Sequence, residues 1–363
     1  MKKVTVTMHD VARLAGVSQT TVSLILNQDQ RTTFSQDTVN RVYAAAEQLN
    51  YKAKRPALQK PTSKTVMVLM ANVNNPHYTA MLSKIEDACY ANGINAISCC
   101  TYHDREVEKT YMELAVKLNC FGVIVLYPAG NQEALAELSE HLPVVTICDR
   151  TFDFSTDIVE LNNFRAGQIA AEHLLSLGHR RIAVLTSSLE RNIARTERLN
   201  GLKDYFAKYL PDDDMVLCVE NGSESDKLAE RLNDYHAGYF LARNENLYNR
   251  GITALVCMND ALAYGVLDAL KEEGLSVPGD VSVIGFDNQF YSRLSGVALT
   301  TVDLHTEMLA GNAVNLLLQK IRTTPLASGV PEHSPRFKID CEPGLVVRQT
   351  TTQPPDQSRM IRR

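Results

Sequence analysis

The sequence predicts an α/β protein in which a small domain of three short helices precedes a larger core built on parallel β-sheets. Three observations support this fold class. Apolar residues recur at helical spacing within the first 49 residues, and a polar segment with two prolines follows at 50–65. Seven short apolar runs then alternate mostly with helix-length segments. At 363 residues, the chain is long enough for two or three domains.

Residues 10–27 are predicted to form two short helices that join at Gly16, which can adopt the positive φ of a tight turn. Capping pairs mark the two helix starts, Thr7 with Asp10 and Ser18 with Thr21. The apolar faces at i, i+3 and i+4 are formed by Val11, Leu14 and Ala15 and by Val22, Ile25 and Leu26. Helices this short need support, and a third helix at 36–49 offers Val39, Val42, Ala46 and Leu49.

The second helix has an outward face suited to the major groove of DNA. The residues opposite its apolar stripe are Gln19, Thr20, Ser23 and Leu24. Candidate phosphate contacts are side chains that can donate a hydrogen bond, namely Thr21, Ser23 and Asn27. The alternative is a surface helical hairpin without a partner, because apolar spacing of this kind is common in bundles.

Charge is distributed unevenly along the chain. Residues 1–65 contain ten Lys or Arg against four Asp or Glu, a charge of +6, whereas the whole chain carries −5 and the remainder therefore −11. A basic head on an acidic body lets only the head approach phosphate. The basic residues after the third helix either contact DNA or form a solvated linker: Lys52, Lys54, Arg55, Lys60 and Lys64.

The later part of the chain has the pattern of βαβ units. Apolar runs typical of strands covered on both faces occur at 66–70, 96–100, 122–127, 144–148, 181–185, 254–258 and 281–286. Their number predicts two parallel sheets. The predicted domains are a head at 1–49, a linker at 50–65, a core at 66–348 and a polar tail at 349–363 that we expect to be disordered.

Several functional classes are disfavoured. No apolar run approaches the roughly 18 residues of a transmembrane helix and no signal-peptide core is visible, so we expect a cytoplasmic protein rather than an exported solute-binding protein. The eight cysteines lack C-x-x-C spacing and indicate reduced core thiols, not a metal site. An enzyme is disfavoured because no glycine-rich phosphate loop or G-x-S-x-G motif occurs and because the histidines, such as His9, His77, His103 and His141, are scattered.

Polar residues cluster directly after the predicted strands. They are Asn72, Asn74 and Asn75, then Asp149 and Arg150, then Asn259 and Asp260, and finally Asp287 and Asn288. In open α/β sheets, ligands bind in the crevice at the carboxyl ends of strands, and this mixture of groups suits a ligand dense in hydroxyls. A helix cap is the alternative for each residue singly, Asn259 in particular.

The chain contains HDVARLAGVSQTTVSLILN near its start and then, in this order, AAEHLLSLGHRRIAVL, ALVCMNDALAYGVLDAL, GLSVPGDVSVIGFDN and ALTTV. The first stretch resembles the helix-turn-helix that reads DNA in the LacI/GalR family of bacterial transcriptional repressors, and the others are similar to that family's core motifs, in its order. The resemblance extends from residue 7 to about 348. The resemblance implies two lobes of the periplasmic-binding-protein type joined by crossing strands, an effector in the cleft, and a homodimer on a near-palindromic operator. No cofactor is implied.

The resemblance also assigns site residues. The DNA contacts would be Thr7, Gln19, Thr20, Thr21, Ser23, Leu24, Asn27, Lys54 and Arg55, with Gln19, Thr20 and Leu24 reading bases. The effector contacts would be Asn75, Tyr78, Asp149, Arg150, Asn162, Arg198, Asn259 and Asp287. Relatives take sugars, nucleosides, purines or a phosphoprotein partner, and we expect a sugar or sugar derivative here. Because the chain has no Trp, an apolar platform for a sugar must be an aromatic such as Tyr78, Tyr127 or Phe290.

Some positions depart from the family pattern. Leu24 stands where arginine is common, so an apolar contact replaces the usual guanine contact. In the linker, Leu58 is the nearest equivalent of the leucine that wedges into the minor groove. Leu304 takes the place of a polar cleft residue, and the tail has no leucine heptads, so no tetramer is expected. The expected mechanism is a two-state switch in which the effector favours one closure state of the lobes.

Overall fold

The computed structural model describes residues 7–26, 34–49, 51, 64–149, 156–187, 189, 192–210, 215–220, 234–245, 247, 250–294, 296, 298–323 and 336–355. They belong to two compact units, one within residues 1–57 and one within 58–363. Four of the predicted site residues, Asn27, Lys54, Arg55 and Arg150, lie outside the described residues, as does Leu58 of the linker.

The small unit is a three-helix domain made of α1 (Met8–Ala15), α2 (Gln19–Leu26) and α3 (Gln36–Gln48). The backbone N–H and the hydroxyl of Thr7 both donate to the Asp10 carboxylate, at 2.9 and 2.7 Å. Gly16 ends α1 with φ of 67°, and the Ser18 hydroxyl accepts from the backbone N–H of Thr21 at 3.0 Å. The predicted turn and both capping pairs are therefore present.

The core of this unit corrects one sequence prediction. Leu14 was expected to face inward but is 47% exposed, whereas Ala12 is buried. The buried face of α1 is thus formed by Val11, Ala12 and Ala15, which pack in one cluster with Val22, Ile25, Val42, Ala45 and Ala46. Ala12 belongs to the cluster that joins α1 to α3, and its small side chain allows a close approach of the two helices.

The large unit contains strands and helices in alternation. In chain order they are β1 (Thr65–Met70), α4 (Pro76–Ala91), β2 (Asn95–Cys100), α5 (Arg105–Lys117), β3 (Gly122–Val125), α6 (Gln132–His141), β4 (Val144–Asp149), β5 (Asp157–Leu161), α7 (Asn163–Ser176), β6 (Ile182–Ser187), α8 (Ile193–Tyr209), β7 (Met215–Glu220), α9 (Asp234–Asn244), β8 (Ala254–Cys257), α10 (Asp260–Glu272), β9 (Ser282–Phe286), β10 (Thr300–Asp303), α11 (Thr306–Thr323), β11 (Lys338–Cys341) and β12 (Gly344–Val346).

These strands form two six-stranded sheets, one in each of two lobes. The first lobe has the order β11-β5-β4-β3-β1-β2 with every neighbouring pair parallel. The second lobe has the order β12-β10-β9-β8-β6-β7, in which only the β10–β12 pair is antiparallel. The described chain crosses between the lobes after β5, after β10 and between β11 and β12. The predicted two-lobed core with parallel sheets is confirmed.

Strand β5 shows why the apolar pattern missed some elements. Its sequence, DIVEL, contains two carboxylates, yet all five residues are buried. Asp157 pairs with Lys320 of α11 at 3.2 Å, and Glu160 pairs with Lys338 of β11 at 2.5 Å. Charges that are paired across neighbouring elements can be buried, so a central strand need not be a continuous apolar run.

The tail prediction is wrong for residues 349–355. Thr350 is fully buried, where its hydroxyl donates to the carbonyl of Val283 at 2.7 Å and accepts from the backbone N–H of Thr300 at 2.9 Å. These hydrogen bonds fix the segment on the second lobe, although it contributes almost no apolar surface. Residues 356–363 lie outside the described part of the chain.

The eight cysteines all lie among the described residues. Seven of the eight cysteines are buried, Cys100 is partly exposed, and all eight are thiols rather than disulfides. Across the described ranges, no group of three His, Cys, Asp or Glu side chains is arranged to hold a metal ion. None of the helices in those ranges is both long and apolar enough to span a membrane.

Candidate functional site

The outward face of α2 has the exposure that a DNA-reading helix requires. Gln19 and Thr20 are exposed and Leu24 is partly exposed, whereas Val22 and Ile25 are buried beneath them. This division follows from the helical period, because residues three and four apart share a face. The leucine is therefore at the surface of the helix and is not a core residue of this unit.

Two predicted DNA contacts, Thr7 and the candidate phosphate contact Thr21, use their hydroxyls within the helix caps. Thr7 donates to the Asp10 carboxylate at 2.7 Å, and the Thr21 hydroxyl lies 2.9 Å from that of Ser18. A hydroxyl has a single proton to donate, and a phosphate oxygen only accepts. A phosphate contact by Thr7 therefore requires its hydroxyl to leave the carboxylate, whereas Thr21 can keep accepting from Ser18 and donate elsewhere.

The large unit contains a cavity of about 120 Å³ between its two lobes. The first lobe supplies an amide and several rings, Asn75, His77, Tyr78, His103 and Tyr127. The second lobe supplies charged and amide groups, Arg195, Arg198, Asn259 and Asp287. Each group lies at the carboxyl end of a strand or at the start of the helix that follows, which is where parallel sheets place their ligand sites.

Several groups fix the Arg198 side chain. Its Nε donates to the Asn163 side-chain oxygen at 2.9 Å, and an Nη donates to the carbonyl of Met258 at 2.7 Å. The guanidinium also lies 4.9 Å from the centre of the Phe286 ring, a cation–π arrangement. Its remaining Nη lies 3.6 Å from an Asp287 carboxyl oxygen, an ion pair longer than a hydrogen bond.

Asp287 is a buried carboxyl whose pKa is raised. Burial raises this pKa to about 8, even though the Arg198 charge acts in the opposite direction. The cause is desolvation, because removing water disfavours the charged form. Near neutral pH, such a group can both donate and accept a hydrogen bond, which suits a ligand hydroxyl.

A second ion pair borders the cavity on the same lobe. Arg195 binds Asp234 through two hydrogen bonds of 2.7 and 2.8 Å, and Asp234 also accepts from Ser187 at 2.7 Å and from the Asn259 amide at 2.5 Å. The Asn259 oxygen accepts from the backbone N–H of Leu262 at 2.8 Å. Asn259 is therefore both the N-cap of α10 and a cavity residue, so the two sequence-based alternatives coexist.

The first-lobe wall is largely aromatic, and its described lining residues include no carboxylate, lysine or arginine. Burial lowers the pKa of His77 to about 4, with Arg198 adding to the effect, so the imidazole is neutral near pH 7. Among the described residues, no polar atom lies within hydrogen-bonding distance of its buried Nδ1. The centres of the His103 and Tyr127 rings lie 5.0 Å apart with the rings nearly perpendicular, and the Tyr127 hydroxyl lies 2.5 Å from that of Thr101.

Only some of the predicted effector residues line the cavity. Five of the eight line the cavity, namely Asn75, Tyr78, Arg198, Asn259 and Asp287. Asn162 does not line it: its oxygen caps α7 and its amide donates to the Glu342 carboxylate at 3.2 Å. Asp149 ends β4, and its side chain is outside the described atoms.

Of the other residues discussed from the sequence, Tyr127 lines the cavity, Phe290 is 76% exposed, and Leu304 is fully buried. Phe290 therefore lies outside the aromatic wall, and Leu304 is a core residue rather than a cleft residue.

Sequence reasoning missed several cavity residues. His77 and His103 were regarded as scattered, yet each follows a strand of the first sheet, β1 or β2. The same rule that selected Asn75 would have found both. Arg195 lies one helical turn before Arg198, so its presence on the same side of α8 follows from the i, i+3 spacing.

Comparison with known proteins decides the family. The profile described as "Bacterial regulatory proteins, lacI family" matches residues 7–54, and the profile "Periplasmic binding protein-like domain" matches residues 171–351. The HTH-type transcriptional repressor PurR of Haemophilus influenzae (strain PittEE) is 33% identical over 348 residues, which is 95% of this chain and 98% of the relative. The chain belongs to the LacI family. It is a LacI-family transcriptional repressor with an effector-binding domain, and its relatives are repressors rather than enzymes.

Two solved structures of LacI-family members are similar to most of the chain. One is a transcriptional regulator from Enterococcus faecium with bound ribose, 26% identical, with a TM-score of 0.67, covering 80% of this chain and 99% of that one. The other is a periplasmic binding protein/LacI transcriptional regulator from Alkaliphilus metalliredigens QYMF complexed with D-xylulofuranose, 26% identical, with a TM-score of 0.64 and the same coverage. Both likenesses support the two-lobed architecture described above.

Proposed function

We propose that this LacI-family repressor binds a near-palindromic operator as a cytoplasmic homodimer and that an uncharged sugar of pentose size controls its affinity for the operator. The observation that carries the ligand proposal is the cavity between the lobes. One wall presents rings, and the other presents Arg198, Asp287 and Asn259, which can make directional hydrogen bonds.

The commitment of the cationic groups to protein acceptors favours a neutral ligand. One nitrogen of Arg195 donates to both oxygens of Asp234, and Arg198 donates to the Asn163 side chain and to the Met258 carbonyl. Neither guanidinium is therefore left wholly available for a phosphate. The Asp287 carboxyl and the Arg198 guanidinium together suit a pair of vicinal hydroxyls.

Cavity size favours a small ligand. The volume of about 120 Å³ is below the roughly 300–1,000 Å³ of sites for drug-sized molecules. The two similar structures that hold ribose and D-xylulofuranose are consistent with a five-carbon sugar. A ligand in this position contacts residues of both lobes, so it binds one closure state more tightly and shifts the population toward that state.

Titration calorimetry on the full-length protein tests the ligand class. The panel is D-ribose, D-xylulose, D-glucose, adenosine and hypoxanthine, and the wild type is compared with Asp287→Ala and Arg198→Ala. We expect a pentose to bind, and each variant to lose roughly tenfold to a hundredfold in affinity, because a hydrogen bond to a charged group contributes about 1.5–3 kcal/mol. Asp268→Ala, which removes an exposed carboxylate of α10, is the matched control.

Operator binding is measured in parallel, by fluorescence anisotropy on a site selected from random DNA. Both cavity variants are expected to bind DNA while losing the response to the pentose. Binding of hypoxanthine or adenosine without any sugar would overturn the sugar assignment. Unchanged pentose affinity in both variants would remove Asp287 and Arg198 from the site.

A further inference from the structure

The turn after β9 has an unusual backbone conformation. Asp287 and Asn288 are consecutive non-glycine residues with positive φ, 106° and 50°. Such values are uncommon for L-residues, although Asn and Asp tolerate them best. A strained turn of this kind persists only when surrounding contacts hold it in place. Because this turn aims the Asp287 carboxyl into the cavity, the contacts that hold it bear on ligand binding.

Hydrogen bonds hold the Asn288 side chain on two sides. Its amide nitrogen donates to the Asp303 carboxylate at 2.8 Å, and its amide oxygen accepts from an Nη of Arg348 at 2.5 Å. A donor partner on one side and an acceptor partner on the other fix the orientation of the amide. The backbone N–H groups of this turn reach β10 as well, with Asp287 donating to the carbonyl of Val302 at 2.9 Å.

Both partners of Asn288 are themselves anchored. Arg348 donates to the carbonyl of Leu299 at 2.8 Å through its other Nη. Asp303 is the last residue of β10, and its carboxylate accepts from the backbone N–H of His305 at 2.7 Å. Asn288 therefore joins the turn to two fixed points, the end of β10 and the segment after β12.

We propose that Asn288 is a positioning residue: it holds the left-handed turn so that the Asp287 carboxyl faces Arg198 and the cavity. Asn288 is not among the residues that line the cavity. Asn288 acts through Asp287. The effect that we expect on ligand binding rests on the proposed function, whereas the effect that we expect on the position of the Asp287 carboxyl does not.

Two variants isolate this role: the single variant Asn288→Asp and the double variant Asn288→Asp with Asp303→Asn. Aspartate tolerates positive φ and still accepts from Arg348, but it places a carboxylate against that of Asp303. The double variant restores a donor at residue 303 and keeps the acceptor for His305. The first readout is the ligand-free crystal structure of the full-length protein and of each variant.

We expect the distance from Arg198 Nη to Asp287 Oδ, 3.6 Å in the wild type, to grow in Asn288→Asp and to return in the double variant. A displacement of about 1 Å is large enough to impair a binding geometry. An unchanged distance and unchanged φ at 287 in Asn288→Asp would overturn the proposal, whether or not any sugar binds.

The second readout is calorimetry with D-ribose in two backgrounds. Asn288→Asp is expected to weaken D-ribose binding about tenfold in the wild type and to have no effect when Asp287→Asn is already present. An equal loss in both backgrounds would show a merely structural role and contradict the proposal. If the wild type binds D-xylulose and not D-ribose, D-xylulose is the ligand in this measurement. If it binds neither pentose, the pentose assignment is rejected instead, and the crystal structures alone decide the role of Asn288.

Discussion

A Cβ atom on Gly201 of α8 would overlap the backbone carbonyl of Phe164 in α7, so glycine is required for the two helices to approach this closely. The reciprocal contact is equally tight, because a Cβ on Gly167 of α7 would overlap the carbonyl of Arg198. The close approach brings Arg198, one turn before Gly201, to the Asn163 side chain at the start of α7. This approach gives a physical reason for the arginine three residues before the glycine in RTERLNGL, residues 195–202.

Replacing Gly201 with alanine is expected to separate α7 from α8 and to break the hydrogen bond between Arg198 and Asn163. Overpacking of this kind costs about 1–3 kcal/mol of unfolding free energy. We expect that loss in urea denaturation, together with at least a tenfold loss of pentose affinity in calorimetry.

Gly311→Ala is the matched control for this prediction. Gly311 is also helical, in α11, but a Cβ there meets no atom within 4 Å. This substitution is expected to leave ligand binding unchanged and to stabilise the protein by about 0.5–1 kcal/mol, because alanine is the better helix former. Equal effects of the two substitutions would show that the approach of α7 to α8 does not position Arg198.

The raised pKa of Asp287 predicts a dependence of stability on pH. Between the ordinary aspartate value of 3.8 and the folded value of about 8, the folded protein holds a proton that the unfolded chain releases. The stabilising contribution is therefore complete below about pH 4 and is lost as the pH rises through 8. The groups that face this carboxyl are Arg198, Arg195, Asp260 and Asp234, while His77 stays neutral above its pKa of about 4.

Asp287→Asn removes this titration without changing the size of the side chain. The melting temperature of the wild type minus that of the variant is expected to fall by at least about 2 °C between pH 5 and pH 9, which is roughly 1 kcal/mol for a protein of this size. Thermal unfolding followed by circular dichroism across that range measures the difference. A constant difference at every pH would contradict a raised pKa.

The sequence predicted those parts of the molecule whose cause is local. Strands such as 66–70 are continuous apolar runs, and the Thr7 and Ser18 caps act within one helical turn. Strand β5 was missed because its carboxylates are neutralised by lysines far along the chain. His77 also has a local cause, because it lies two residues after Asn75 in the first turn of α4, and the rule that polar groups gather after strand ends covers it as well.

The ordered segment 349–355 was also missed from the sequence, because the partners that hold it are distant along the chain, and it allows a further test. Thr350→Val keeps the shape of the side chain but removes the hydroxyl that satisfies the backbone N–H of Thr300 and the carbonyl of Val283. Leaving buried polar groups unpaired is expected to cost about 1–3 kcal/mol in urea denaturation. Thr110→Val, at an exposed position of α5, is the control and should change the unfolding free energy by less than about 0.5 kcal/mol. A similar cost at both positions would mean that the tail contact contributes nothing specific.

Leu24 is predicted to help decide which operator is bound. It is partly exposed on α2, on the face that carries Gln19 and Thr20, and an apolar side chain there favours a contact with a thymine methyl group. Leu24→Arg supplies a bidentate donor for guanine, worth roughly 1–3 kcal/mol of discrimination, so selection from a random DNA library should recover a different half-site. The control for the selection experiment is Leu14→Arg, which adds the same charge at an exposed leucine of α1. Added charge alone raises affinity for every sequence and steepens the salt dependence without changing the preferred bases. Recovery of the wild-type half-site by Leu24→Arg would therefore show that Leu24 does not read a base.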